Sequence, residues 1–164
     1  MVLVLGIGNS LLQDEGIGYH LLQYLNEKKK HWPVEFLDGG TLSFNLTGSI
    51  ESCDYLIVLD AANFNQPAGT VKTLLNNELD EFLSKPGKSV HEVSLSEVFD
   101  MMRLTETLPA QRAMVAVQPK TIGWGDKLTE QVDAAQSVAV EHIEKVLQQW
   151  GVLTNTADEN VYEV

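Results

Sequence analysis

The chain has 164 residues, of which 44% are apolar and 21% charged, a balance typical of one globular domain with a sizeable core. Its 11 basic and 23 acidic residues give a formal charge of −12 at pH 7. Such a surface repels polyphosphate backbones and anionic lipid, which disfavours nucleic acids and membrane surfaces as partners.

Strands and helices alternate through the first part of the chain. Val2–Ile7 is a short apolar run bounded by glycine, which is typical of a buried parallel strand. Apolar residues at spacings of three and four then predict a helix over residues 15–29. Further strands are predicted at residues 34–40 and 55–62, followed by a turn and an edge segment at residues 65–74.

The middle of the chain gives weaker signals. Residues 79–85 predict a short helix that ends before a Pro-Gly pair. Residues 88–95 predict a strand-like segment, followed by a helix over 95–104. Ser94 and Glu97 have the spacing of a capping box at the start of that helix.

The last elements complete an α/β pattern. Residues 113–119 predict another buried strand, and Thr129 precedes the strongest helix, 130–150. Strands that alternate with helices pair in parallel, so we predict a three-layer α/β sandwich with a twisted, mostly parallel sheet flanked by helices. Residues 1–150 form its single domain, and residues 151–164 are predicted to be an acidic tail.

The single cysteine and the absence of long apolar runs indicate the compartment. Cys53 has no partner for an internal disulfide and is predicted to be a core residue. No apolar run approaches the roughly 20 residues of a membrane span, and the N-terminus lacks a basic leader. These features predict a cytoplasmic protein without a membrane partner.

Polar side chains follow several of the predicted strands. Glu15 lies after the first strand, Asp38 and Asp60 end the second and third, and His91 follows later. In parallel α/β sheets the carboxyl ends of the strands share one edge, so these four side chains are predicted to converge there. Each has a simpler explanation as a turn, cap or strand residue, but together they favour a site.

The glycine-rich opening differs from a nucleotide-binding loop. Gly6 and Gly8 are present, but the third glycine of the dinucleotide motif is missing. Asp14 and Glu15 would oppose a phosphate at the helix start, whereas they favour a cation. Asp14 is interpreted as a helix cap. Two carboxylates and an imidazole form a credible set of ligands for a divalent transition metal, with coordination positions open for a partner's ligand.

At these residues the sequence resembles the nickel–iron hydrogenase maturation endopeptidases. The resemblance rests on six motifs in order: LGIGNSLLQDEGIG (5–18), DGGT (38–41), YLIVLDAA (55–62), PAGTV (67–71), SVHEVSL (89–95) and VAVQPKTIGWGDKLTEQV (115–132). It implies a five-stranded sheet between helices. It also implies an endopeptidase that removes a C-terminal extension from the hydrogenase large-subunit precursor after nickel has been installed.

The resemblance also implies roles for the four site residues. Glu15, Asp60 and His91 correspond to the family's metal-contacting residues, although many members carry Asp at the position of Glu15. Asp38 matches a residue linked with nickel recognition or cleavage. The expected nickel is carried by the substrate, without an organic cofactor, and the expected enzyme is a monomer. Which carboxylate activates water is left open.

Two other functions are compatible with parts of the pattern. One is a non-catalytic, metal-binding maturation chaperone that inspects the precursor without cutting it. The other is a nucleotide-binding regulator, which the missing glycine and the acidic pair disfavour. Outside the site, His20, His31 and His142 are predicted to be solvated, and residues 124–126 to form either a partner-binding loop or a plain turn.

Overall fold

One mixed sheet forms the centre of the molecule. The computed structural model describes residues 1–40, 46–86 and 89–154, except for the side chains at positions 90, 91 and 93. The sheet has the order β2-β1-β3-β5-β4, with all pairs parallel except β4 and β5. Its strands are β1 (Val2–Ile7), β2 (Glu35–Gly40), β3 (Tyr55–Ala61), β4 (Val71–Leu75) and β5 (Gln111–Val117). The predicted five-stranded, mostly parallel sheet is confirmed.

Helices connect the strands and cover both faces of the sheet. A short 3-10 helix, Gln13–Gly16, precedes the first of them. The helices are α1 (Ile17–Lys28), α2 (Thr47–Glu51), α3 (Asn77–Ser84), α4 (Val90–Leu104), α5 (Glu130–Ala134) and α6 (Gln136–Gln149). In the described ranges no helix is long and apolar enough to cross a bilayer.

The sheet separates two apolar clusters, as a three-layer sandwich requires. Along β3, Ile57 and Leu59 join the cluster under α1 and α6, whereas Leu56 and Val58 join the cluster under α3 and α4. This alternation follows from the two-residue period of a strand. All four side chains are fully buried, so both faces of β3 are covered and its carboxyl end is held firmly.

The prediction of a strand at residues 88–95 is wrong, because Ser89 caps α4 and Val90 begins it. Ser89 is the N-cap: its hydroxyl accepts from the backbone N–H of Glu92 at 3.3 Å, and a Glu92 carboxylate oxygen accepts from Ser89 N–H at 2.7 Å. The capping box is therefore Ser89/Glu92, and the predicted box at Ser94 and Glu97 lies inside the helix. Two successive S-x-x-E patterns occur here, and the first begins the helix.

The long C-terminal helix is divided in two. Ala135 ends α5 and precedes α6, so the predicted helix over residues 130–150 is interrupted near its start. Beyond it, Val152 and Leu153 pack against the core under α6. The rest of the predicted acidic tail, residues 155–164, lies outside the described residues.

Cys53 is a core residue, as predicted. Its side chain is 5% exposed, and its thiol donates to the backbone carbonyl of Ile50 at 3.0 Å. Burial raises the pKa of the thiol to about 11. At neutral pH Cys53 is therefore protonated, which is unfavourable for a nucleophile.

Candidate active site

Glycines allow the first turn of the chain to approach the carboxyl ends of β1 and β3. A Cβ on Gly18 would lie 2.4 Å from the carbonyl oxygen of Ile7, so α1 packs directly on the backbone of the strand. Gly8 has φ +128°, and a Cβ there would lie 2.0 Å from the carbonyl oxygen of Glu15 and 3.7 Å from Oδ1 of Asp60. Without side chains at these positions, the turn that carries Glu15 lies beside the end of β3.

Asp60 is the central ionisable group of this region. It lies at the end of β3 with only 1% of its surface exposed. One oxygen accepts a hydrogen bond from the backbone N–H of Ala61 at 2.8 Å. Burial raises the pKa of Asp60 well above its ordinary value, and the negative charges of Glu92 and Glu15 raise it further. An anionic Asp60 would therefore be stabilised by a cation.

Glu92 was not predicted as part of the site. Glu92 is only 4% exposed and lies in the first turn of α4. Its negative charge is close enough to raise the pKa of Asp60. The available signal was the S-x-x-E pattern of residues 89–92, which places a glutamate at the beginning of a helix. The structure therefore brings Glu15, Asp60 and Glu92 to one region.

Asp38 lies at a neighbouring cleft. It is exposed, and its Oδ1 accepts from the backbone N–H of Gly40 at 2.9 Å. The carbonyl of Gly40 in turn accepts from the backbone N–H of Gly8 at 2.8 Å. The cleft has a volume of about 300 Å³ and is lined by Gly8, Asn9, Ser10, Tyr19, Asp38 and Gly40. Gly8 thus lies between this cleft and two other groups, the backbone carbonyl of Glu15 and the carboxylate of Asp60.

His91 lies in the first turn of α4, next to Glu92, but its side chain is outside what the structure describes. Within the described part of the chain, no three His, Cys, Asp or Glu side chains form a group that could hold a metal ion. The geometry therefore places Glu15 near Asp60, with Asp38 at the adjacent cleft. A role for His91 as the third ligand stays a prediction.

Asp14 has a different role from the predicted helix cap. It is fully buried, and its carboxylate accepts hydrogen bonds from the backbone N–H groups of Lys120, Thr121 and Thr129 and from the Thr129 hydroxyl, at 2.7–3.0 Å. Burial alone would raise the pKa of Asp14, but these hydrogen bonds outweigh it and lower the pKa. Asp14 thus fixes the loop before α5 against the turn that carries Glu15.

Two histidines predicted to be solvated, His20 and His142, are half-buried. Nδ1 of His142 lies 2.8 Å from the Thr73 hydroxyl oxygen, and its pKa is lowered by burial and by Lys145. Nε2 of His20 is buried without a hydrogen-bond partner among the described residues. His31 is exposed, as predicted. None of the three contributes to the carboxylate region described above.

Comparison with known proteins gives consistent matches over nearly the whole chain. A model of the hydrogenase maturation protease family matches residues 19–146. The hydrogenase 2 maturation protease of Escherichia coli (strain K12) is 34% identical over 153 residues, which cover 92% of this chain and 93% of that protein. The hydrogenase expression/formation protein HupD of Thiocapsa roseopersicina is 30% identical over 167 residues, covering 99% of this chain and 74% of that protein.

Solved structures extend this similarity to the fold. The hydrogenase maturating endopeptidase HybD from E. coli superposes with a TM-score of 0.83 at 31% identity, covering 92% of this chain and 93% of that chain. The [NiFe] hydrogenase maturation protease HybD from Thermococcus kodakarensis gives a TM-score of 0.76 at 28% identity, covering 88% of this chain and 97% of that chain.

Proposed function

The chain belongs to the hydrogenase maturation protease family, whose members hydrolyse peptide bonds, and from this premise we propose its substrate and its reaction. The substrate is the nickel-loaded precursor of the nickel–iron hydrogenase large subunit. The reaction removes the C-terminal extension of that precursor. Nickel in the precursor is the recognition element, so the metal arrives as part of the substrate.

The buried carboxylate of Asp60 is the observation that carries this proposal. It is 1% exposed, it has a backbone N–H as its hydrogen-bond donor, and it lies near two other acidic side chains. Burying an anion beside other anions is unfavourable unless a proton or a cation compensates it. A divalent ion carried by the precursor would supply that compensation when the two proteins meet.

Each predicted residue then has a specific role. Glu15, Asp60 and His91 complete the coordination of the nickel from the protease side, while the precursor supplies the remaining ligands. Oxygen and imidazole donors are compatible with nickel. Asp38 lines the adjacent cleft of about 300 Å³. In this proposal the scissile peptide and the attacking water occupy that cleft. A carboxylate at that position is suited to general-base activation of the water, and a bound metal would lower the pKa of that water.

The test compares nickel-loaded with nickel-free precursor at equal concentrations of purified protease. We expect the initial rate of cleavage to be at least about tenfold higher for the loaded form, because the metal interaction contributes to binding. Cleavage is followed as a shift in the size of the precursor. Nickel-free precursor with the metal restored serves as the control. Equal rates for both forms would contradict nickel recognition, and binding without cleavage would instead support the chaperone function.

A further inference from the structure

Three large apolar side chains are exposed on two neighbouring loops near the candidate site. The exposed fractions are 55% for Leu11, 58% for Ile122 and 85% for Trp124. We call these three residues the apolar ridge. Trp124 is the most exposed aromatic residue in the part of the chain that the structure describes. Exposed apolar residues grouped in this way often mark a surface that a partner covers.

The two loops that carry the ridge are held together by their backbones. Gly125 N–H donates to the carbonyl of Leu11, and Gln13 N–H donates to the carbonyl of Gly125, both at 2.9 Å. Leu12 and Gly125 form a parallel bridge. The buried Asp14 carboxylate fixes the same loop through Lys120, Thr121 and Thr129. The ridge is therefore presented on a fixed backbone, which lowers the entropic cost of binding a partner.

One end of the ridge, Leu11, adjoins the cleft along the chain. Leu11 directly follows Asn9 and Ser10, which line the cleft beside Asp38. On its other side, the loop leads within a few residues to Glu15. A polypeptide that occupies the cleft would therefore pass close to Leu11, the end of the ridge that adjoins it.

The loop that carries Ile122 and Trp124 differs in charge from the whole chain. Lys120 and Lys127 are exposed and flank Ile122 and Trp124 in the sequence, with Asp126 between them. The segment 119–128 therefore has one net positive charge, whereas the whole chain has a formal charge of −12. An acidic residue on a partner would be attracted to this segment and repelled by most of the remaining surface.

We propose that the apolar ridge is a docking surface for the precursor, next to the scissile peptide. The segment of the precursor that binds there presents an apolar side chain beside an acidic residue. This inference rests on the proposed function and adds to it a second contact, separate from the metal. Nickel recognition selects the state of the precursor, and the ridge aligns the polypeptide in the cleft.

The experiment compares Trp124→Ala and Ile122→Ser with Leu104→Ala in the full-length protein. Leu104 is a matched control because it is 87% exposed and apolar but lies at the end of α4. We expect Trp124→Ala to raise KM for the nickel-loaded precursor about tenfold, as truncation of an aromatic anchor does at interfaces. The kcat and the melting temperature should not change. Ile122→Ser should act in the same direction, and Leu104→Ala should match the wild type.

Binding by titration calorimetry separates failure of this inference from failure of the proposed function. If the wild type does not cut the precursor, the proposed function fails, and the ridge is then tested by the affinity of Trp124→Ala for the same precursor. Weaker binding of the precursor by Trp124→Ala than by the wild type supports docking at the ridge. A KM and an affinity unchanged in both ridge variants would overturn it. A wild-type dimer in sedimentation that Trp124→Ala dissociates would also overturn it, since the occupant would then be a second copy.

Discussion

If Asp60 is a ligand of the precursor's nickel, as proposed, Asp60→Asn should lower the rate of precursor cleavage by at least about a hundredfold. Loss of a group that only supports a metal ligand already costs about 10–100-fold, and loss of the ligand itself should cost at least as much. The stability of the folded protein should not decrease. The asparagine oxygen can still accept from the Ala61 N–H, and the amide removes a carboxylate that is 1% exposed among other acidic groups. The expected melting temperature is therefore equal to or above that of the wild type.

Two measurements establish this result: the initial rate with nickel-loaded precursor, and thermal unfolding of the free protease. Asp133→Asn is the matched control, since it makes the same chemical change at an exposed position on α5. Asp38→Asn provides a second comparison. If Asp38 activates water, that variant should bind the loaded precursor normally but cut it slowly. An Asp60→Asn enzyme with wild-type rate would remove Asp60 from the site.

The positions of Glu15 and Asp60 could be predicted from the sequence because they follow from topology. Alternation of strands and helices requires a parallel sheet, and a parallel sheet gathers the carboxyl ends of its strands at one edge. Asp60 directly follows four apolar residues of β3, so its place at that edge needed no knowledge of distant contacts. Glu15 was placed by the same rule after β1, although its turn is a 3-10 turn rather than the first turn of α1.

The start of α4 and the role of Asp14 could not be predicted from the order of strands and helices. Residues 89–92 and 94–97 both fit a capping box, and the pattern alone does not decide between two successive candidates. The donors to Asp14 lie 106–115 residues away, so its local position beside Glu15 gave no sign of them. For Asp14, tertiary contacts rather than local preference therefore determined its role.

Asp14→Asn should lower the free energy of unfolding at pH 7 by about 2–4 kcal/mol, since hydrogen bonds to a buried charged group are lost or left unpaired. One carboxylate oxygen accepts from Thr129 N–H, and the other accepts from Lys120 N–H, Thr121 N–H and the Thr129 hydroxyl. An asparagine has one acceptor oxygen. Whichever way its amide is oriented, the NH₂ group faces at least one backbone N–H, and that donor loses its partner.

The loss of unfolding free energy in Asp14→Asn should also depend on pH in a defined direction. The folded-state pKa of Asp14 is lowered, so the stability that its charge contributes is present above the unfolded-state pKa and is lost as the pH falls through the folded-state pKa. The difference between the wild type and Asp14→Asn should therefore be full at pH 7 and should narrow below about pH 4. Urea unfolding at a series of pH values measures both curves.

Asp126→Asn is the control for this experiment, because it changes the same chemical group on the same loop at an exposed position. It should unfold like the wild type at every pH. If the wild type and Asp14→Asn differ in free energy of unfolding by the same amount down to pH 3, the charge of Asp14 does not have the proposed role. Because Asp14 fixes the loop that carries Trp124, Asp14→Asn should also raise KM for the precursor in the temperature range where it remains folded. Asp126→Asn should not raise KM, because it makes the segment 119–128 more positive and leaves the loop fixed by Asp14. A higher KM in Asp14→Asn alone would tie the buried carboxylate to docking as well as to stability.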